Sequence, residues 1–214
     1  MRANVYIKIE QYDLAIADCN KAIELDPNLA AAYNNRSTAY INKGQFDLAI
    51  NDATRAIELD SNLAEAYVNR ASAYLNNGQF DLAIADYNKA IQLDPEYALA
   101  YNNRAHAYNK LGQYDLGIDD CNKAIELDPN LALTYVNRST AYLYKEQYDL
   151  AITDCNKAIE LNPNMAEAYN NRAWGYKLQG KKAEALADFE KLITLTNNPQ
   201  LIDMAKQQIE ELSK

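Results

Sequence analysis

The chain is predicted to be all-α, a solenoid of tandem helix–turn–helix repeats closed by a capping helix. Three observations predict it. Residues 64–97, AEAYVNRASAYLNNGQFDLAIADYNKAIQLDPEY, return in 98–131 as ALAYNNRAHAYNKLGQYDLGIDDCNKAIELDPNL. Tyr67 is answered by Tyr101, Gly78 by Gly112 and Pro95 by Pro129, always 34 residues on. A fixed period of about 20–50 residues marks a stack of supersecondary units. Within each unit two stretches of helical apolar spacing are separated by turn-formers.

In order along the unit, Ala66, Tyr67, Ala71, Tyr74 and Leu75 form one face of a first helix. Asn76-Asn77-Gly78-Gln79 interrupts it, and Phe80, Ala83, Ile84, Tyr87, Ala90, Ile91 and Leu93 carry a second. Asp94-Pro95 ends that helix, because proline lacks the amide donor and suits the first turn of the next one. Residues 30–63, 64–97, 98–131 and 132–165 are complete copies, and 166–199 is a weaker one with Lys181-Lys182, Leu192 and Asn197 at altered positions. Residues 1–29 hold the tail of a copy, aligned through Tyr12, Ala15, Cys19, Ala22 and Pro27. Met1 falls on the sixth position of a unit and Tyr33 has no counterpart, so this end is expected to be a fragment of a longer array or to expose apolar surface. Leu201, Ile202, Ala205, Ile209 and Leu212 form a last stripe, opposite Lys206, Gln207, Glu210 and Glu211. The expected organisation is a repeat array over 1–199 and a capping helix over 200–214.

The unit resembles the tetratricopeptide repeat (TPR). Tyr67, Ala71 and Tyr74, then Ala83-x3-Tyr87, Ala90 and Pro95, carry the resemblance, with Arg70 where the family prefers leucine. The resemblance implies a right-handed superhelix whose first helices line a concave surface. It also implies a non-catalytic scaffold that holds a peptide or protein segment in that groove.

Composition narrows the partners. The 214 residues are 49% hydrophobic, enough for a substantial core. A net charge of −9 argues against nucleic acid, whose readers carry basic patches, and against anionic membrane surfaces. No apolar run approaches the roughly 20 residues of a membrane span, and no signal-peptide core is seen, so a soluble, cytoplasmic protein is expected. Cys19, Cys121 and Cys155 share the repeat position of Tyr87 and Phe189 and read as small buried hydrophobes, unpaired as in a reducing compartment. The single histidine, His106, has no ligand-spaced partner, and catalytic motifs are missing, so no enzyme activity, metal or cofactor is expected. Tyr40, Tyr74, Tyr108, Tyr142 and Tyr176 recur in register and read as core.

The candidate site is a ladder. Asn35, Asn69, Asn103, Asn137 and Asn171 hold one first-helix position in five consecutive copies. Asparagine offers a donor and an acceptor, which suits the backbone of an extended peptide. The competing expectation is that the row holds neighbouring first helices together. Flanking positions would tune the groove: Asn34, Asn102 and Asn170 one residue earlier, and Thr38, Ser72, His106, Thr140 and Trp174 about one turn later. The row is similar to the asparagine ladder of the O-linked N-acetylglucosamine transferase repeats. Family members that bind chaperones use a lysine and arginine clamp whose basic residues are missing here, which disfavours an acidic C-terminal peptide. Beside the ladder, Arg2, Arg36, Arg70, Arg104, Arg138 and Arg172 each have an aspartate sixteen residues on, from Asp18 to Asp188, and the pairs are expected to meet. The alternatives to a peptide-binding scaffold are homo-oligomerisation end to end through the N-terminal end, and service as the targeting arm of a larger enzyme.

Overall fold

A computed structural model describes residues 2–214; Met1 lies outside the described residues. Among the described residues there are thirteen α-helices and no strand. The backbone falls into two compact units, Met1–Ala107 and Tyr108–Lys214.

The first unit contains α1 (Arg2–Lys8), α2 (Tyr12–Leu25), α3 (Ala30–Asn42), α4 (Phe46–Leu59), α5 (Ala64–Asn76) and α6 (Phe80–Leu93), and ends within α7 (Ala98–Lys110). Each helix from α1 to α5 packs on the next, and first helices also touch one another, α1 on α3 and α3 on α5. Close approach is possible because the contact positions are alanines: Ala32, Ala39, Ala49, Ala56, Ala66, Ala73, Ala83 and Ala90 are all fully buried. Tyr87 is the largest fully buried side chain, packed with Ala71, Ala83 and Ala90.

The second unit contains α8 (Tyr114–Leu127), α9 (Ala132–Tyr144), α10 (Tyr148–Leu161), α11 (Ala166–Leu178), α12 (Lys182–Leu195) and α13 (Pro199–Leu212). It repeats the same packing, with α9 also touching α11. Phe189 and Leu192 fill the space beneath α13, whose Ala205 and Leu212 close the core. Asn198 starts α13 by accepting the amides of Gln200 and Leu201, ahead of Pro199.

Two turn types repeat. Between paired helices, Gly44, Gly78, Gly112 and Gly180 adopt positive φ near +70°, and Glu10 and Glu146 are forced into the same region where glycine is absent. Between units, proline is not what fixes the turn. Asp26, Asp60, Asp94 and Asp128, and Asn162, each accept the backbone N–H two residues on through Oδ1. Asp60 keeps φ −142° and ψ 98° although Ser61 replaces proline, matching Asp128 at −142° and 97°. The short aspartate side chain makes the turn, and proline only stiffens it.

Candidate peptide-binding face

The first helices are held by an arginine row that lies just behind the asparagines. In the first unit Arg36 grips both oxygens of Asp52 at 2.6 and 2.7 Å, and Arg70 grips Asp86 at 2.7 and 2.8 Å. In the second, Arg138 binds Asp154 and Arg172 binds Asp188 with the same bidentate fork at 2.7 Å. The remaining arm of each fork reaches the preceding copy: Arg36 to Asn20, Arg70 to Thr54, Arg104 to Asn88, Arg138 to Asn122 and Arg172 to Asn156. The pairs therefore act both within a copy and across its boundary. Of the other two predicted pairs, Arg2 also meets Asp18, while Arg104 and Asp120 belong to different units.

The tyrosines turn out to flank these cations rather than to sit wholly in the core. Arg36 lies 5.5 Å from the Tyr33 ring and 6.0 Å from the Tyr40 ring, and Arg172 stands likewise between Tyr169 and Tyr176. A guanidinium between ring faces and a carboxylate is stabilised by both. Hydrogen bonding to Asp52 and Asp86 accordingly raises the Arg36 and Arg70 pKa above the ordinary value.

The asparagine ladder is more structural than its sequence pattern implies. In the first unit the Asn69 amide donates to the Asn34 side chain at 2.7 Å, to Thr38 Oγ1 at 2.9 Å and to the Asn34 carbonyl at 3.3 Å. In the second, Asn171 donates to Ser139 Oγ at 2.9 Å, Thr140 Oγ1 at 2.8 Å and the Val136 carbonyl at 3.4 Å. The donor half of each side chain thus ties one first helix to the previous one. Ser72 meets the Tyr87 hydroxyl at 3.1 Å, and Asn103 accepts from Asn102 at 2.9 Å. Asn102 and Asn137 are 2% and 5% exposed, so they are buried polar residues and not open groove surface. Asn35, Asn69, Asn103, Asn170, Asn171, Thr38, Ser72, His106 and Thr140 remain half-buried.

The second unit has a cleft that the sequence pattern did not single out. Thr140, Leu143, Tyr144, Asn170, Asn171, Trp174 and Leu178 enclose about 330 Å³ between α9 and α11. Tyr144 stands where other copies carry Asn42, Asn76, Lys110 and Leu178, and it stacks on Tyr114 at 4.8 Å. Trp174 stands edge-on to Phe189 at 5.8 Å. The apolar change at two groove positions was visible in the sequence, but their convergence needed coordinates.

A second bridging row was also missed. Lys43 binds Asp13, Asn77 binds Asp47 at 3.2 Å, Lys145 binds Asp115 and Gln179 binds Asp149 at 2.7 Å, each across 30 residues. The recurrence of a donor exactly one offset from an aspartate was the available signal. The cysteines lie fully buried and unpaired, with burial pushing the Cys19 thiol up to about 11 and Cys155 up to about 12. Among the described residues no group of His, Cys, Asp and Glu is placed to hold a metal, and no helix is long and apolar enough to cross a membrane.

Comparison with known proteins agrees with this architecture. A tetratricopeptide repeat family profile matches residues 1–29, 64–97, 98–131 and 132–165. The chain belongs to the tetratricopeptide repeat family. Further TPR profiles match 19–51, 38–78 and 166–199, which carries the TPR signal through the weaker last copy. No curated protein matches the chain. Among solved structures, a TPR protein from Parabacteroides merdae shares 23% identity over 99% of this chain and 84% of its own, with a TM-score of 0.76. YrrB, a TPR protein with an unusual peptide-binding site, shares 23% over 88% of this chain and 97% of its own, with a TM-score of 0.64. MamA shares 27% over 77% of this chain and 96% of its own, also with a TM-score of 0.64.

Proposed function

We propose that this TPR protein is a non-catalytic interaction scaffold that holds an extended segment of a protein partner along its first helices. The observation that carries the reading is the division of labour within the ladder. Asn69 and Asn171 use their N–H groups on the preceding helix, which fixes their side-chain carbonyls in place as acceptors. Asn35 is half-buried and its side chain makes no hydrogen bond among the described residues. An extended peptide presents free backbone N–H groups, and a row of pre-oriented acceptors recognises them whatever the side chains. The peptide-binding relative YrrB supports the same reading.

The test is to select peptides from a displayed random heptapeptide library on the full chain, then to titrate them against the parent and Asn35→Ala. One lost hydrogen bond should weaken binding by about 2- to 10-fold. Peptides bound equally by both proteins would remove the ladder from the site. A second reading has its own support: Val5 and Ile9 are 58% and 55% exposed at the α1 end. Self-association through that end would appear as a mass that falls on dilution in light scattering.

A further inference from the structure

The cleft between α9 and α11 says more about the segment that would lie there. Its volume of about 330 Å³ is at the lower end for ligand pockets, room for one bulky side chain and no folded ligand. Leu143, Tyr144, Trp174 and Leu178 make its wall apolar and aromatic, and the stack on Tyr114 and the contact with Phe189 hold the two rings in place. Thr140, Asn170 and Asn171 add polar groups to the same wall. An apolar side chain carried on a polar backbone suits both parts of that lining, and a residue in an extended chain supplies it.

Charge adds a second coordinate. Glu167, in the first turn of α11, is exposed and has no ion pair. The nearby lysines are already matched, Lys177 by Glu211 at 2.8 Å and Gln208 at 2.5 Å, and Lys145 by Asp115. From Glu167 to Trp174 along the helix is about 10 Å at roughly 1.5 Å per residue. An extended peptide covers that in about three residues at roughly 3.3 Å each.

We propose that α9 and α11 form a subsite for an extended peptide carrying a bulky apolar residue in the cleft and a basic residue about three positions away, over Glu167. The proposal rests on the scaffold reading above and specifies its partner's chemistry. Leu178 is 51% exposed and Glu167 lies on the surface, so Leu178→Glu and Glu167→Lys test the subsite without disturbing the core.

Displayed random heptapeptides are panned on the full-length parent and on both variants. The parent should enrich Lys or Arg about three positions from Leu, Ile, Met or Phe. Glu167→Lys should replace the basic preference with an acidic one and keep the apolar position. Leu178→Glu should bind the parent-selected peptide about tenfold or more weakly. Trp174 is the only tryptophan, so its emission should shift to the blue as that peptide fills the cleft. If no peptide is enriched at all, the scaffold reading falls and the subsite with it. If peptides are enriched without the basic–apolar pair, bind Leu178→Glu as well as the parent, or leave Trp174 emission unchanged, the subsite alone is overturned.

Discussion

Arg2 and Arg172 occupy the same repeat position at the two ends of the sequence, and each binds an aspartate sixteen residues on. Their settings are opposite. Arg172 is 19% exposed and Asp188 7%; Arg2 is 72% exposed and Asp18 18%. Arg172 forks across both carboxylate oxygens, reaches Asn156 in the preceding copy and lies between two tyrosine rings. Arg2 directs two nitrogens at a single oxygen and has one ring, Tyr6. The same two residues at the same spacing are thus a buried, fully matched group in one copy and a surface contact in the other. At Arg172 the difference is made by Asn156, which adds a third hydrogen bond, and by a second ring, which together with the packed helices keeps water from the pair.

The largest expected effect tests that contrast directly. Asp188→Ala strands a guanidinium that is mostly out of water, so it should cost about 3 kcal/mol, the lower end for breaking a buried pair. Asp18→Ala leaves Arg2 well hydrated and should be no worse than an ordinary surface change. Urea unfolding of the two variants beside the parent measures both. Equal losses would mean that burial is not what distinguishes the ends. The same contrast should appear without mutation. Amides in α1 and the start of α2 should exchange more than about tenfold faster than those of α11, because their opening exposes less buried surface. Uniform protection would contradict it.

Much of this was legible in the sequence, and the reasons are physical. A strict period places every copy's helices and turns once one copy is read, so the boundaries around Asn76–Phe80 and Leu93–Asp94 follow from local spacing and turn chemistry. The arginine–aspartate pairing was legible too, since charge so close to a buried stripe needs a partner. The role of the asparagines was only half legible. Sequence position put Asn69 beside the groove, but not the geometry that turns its amide onto Asn34 and Thr38 in another copy. The cleft at Trp174 was illegible for a similar reason. It depends on Leu143 and Tyr144 from one helix meeting Trp174 and Leu178 from another, and period analysis treats departures from the repeat as noise.

A smaller effect comes from the turns. Glu146 sits at φ +58° in the turn where Gly78 sits at +75°. A side chain in the left-handed region costs about 1–2 kcal/mol, part of which glycine's greater freedom in the unfolded chain offsets. Glu146→Gly should therefore raise stability by up to about 1 kcal/mol, read as a higher urea midpoint. Glu10, at +59°, offers the matching change beside α1. If burial by neighbours sets the coupling between copies, Glu146→Gly should raise the global midpoint while Glu10→Gly chiefly slows local exchange in α1. Identical responses at both turns would argue that the ends are equally well supported.

The smallest effect concerns the buried thiols, and it compares the same two regions. Burial raises the Cys19 thiol from 9.0 to about 11, with Arg36 pulling it back, and raises Cys155 to about 12 despite its hydrogen bond with Ser139. Below pH 9 the thiol is protonated in both the folded and unfolded chain, so its contribution to stability is fully present. Above pH 9 the unfolded chain releases the proton while the folded one retains it, and stability falls with rising pH until the folded thiol also ionises. Tyrosine and lysine titrations tilt the same curve, so the thiol contribution is isolated by subtracting a Cys→Ala variant from the parent. The stability of the parent minus that of Cys19→Ala should fall from about pH 9 and level near 11, whereas the same quantity for Cys155→Ala should go on falling to about 12. Below pH 9 each difference should be flat, carrying only the constant effect of the substitution on packing. Flat differences throughout would mean that both thiols ionise as freely as in the unfolded chain. A Cys19 difference that outlasts that of Cys155 would place the tighter burial at the N-terminal end, against the contrast drawn from Arg2 and Arg172.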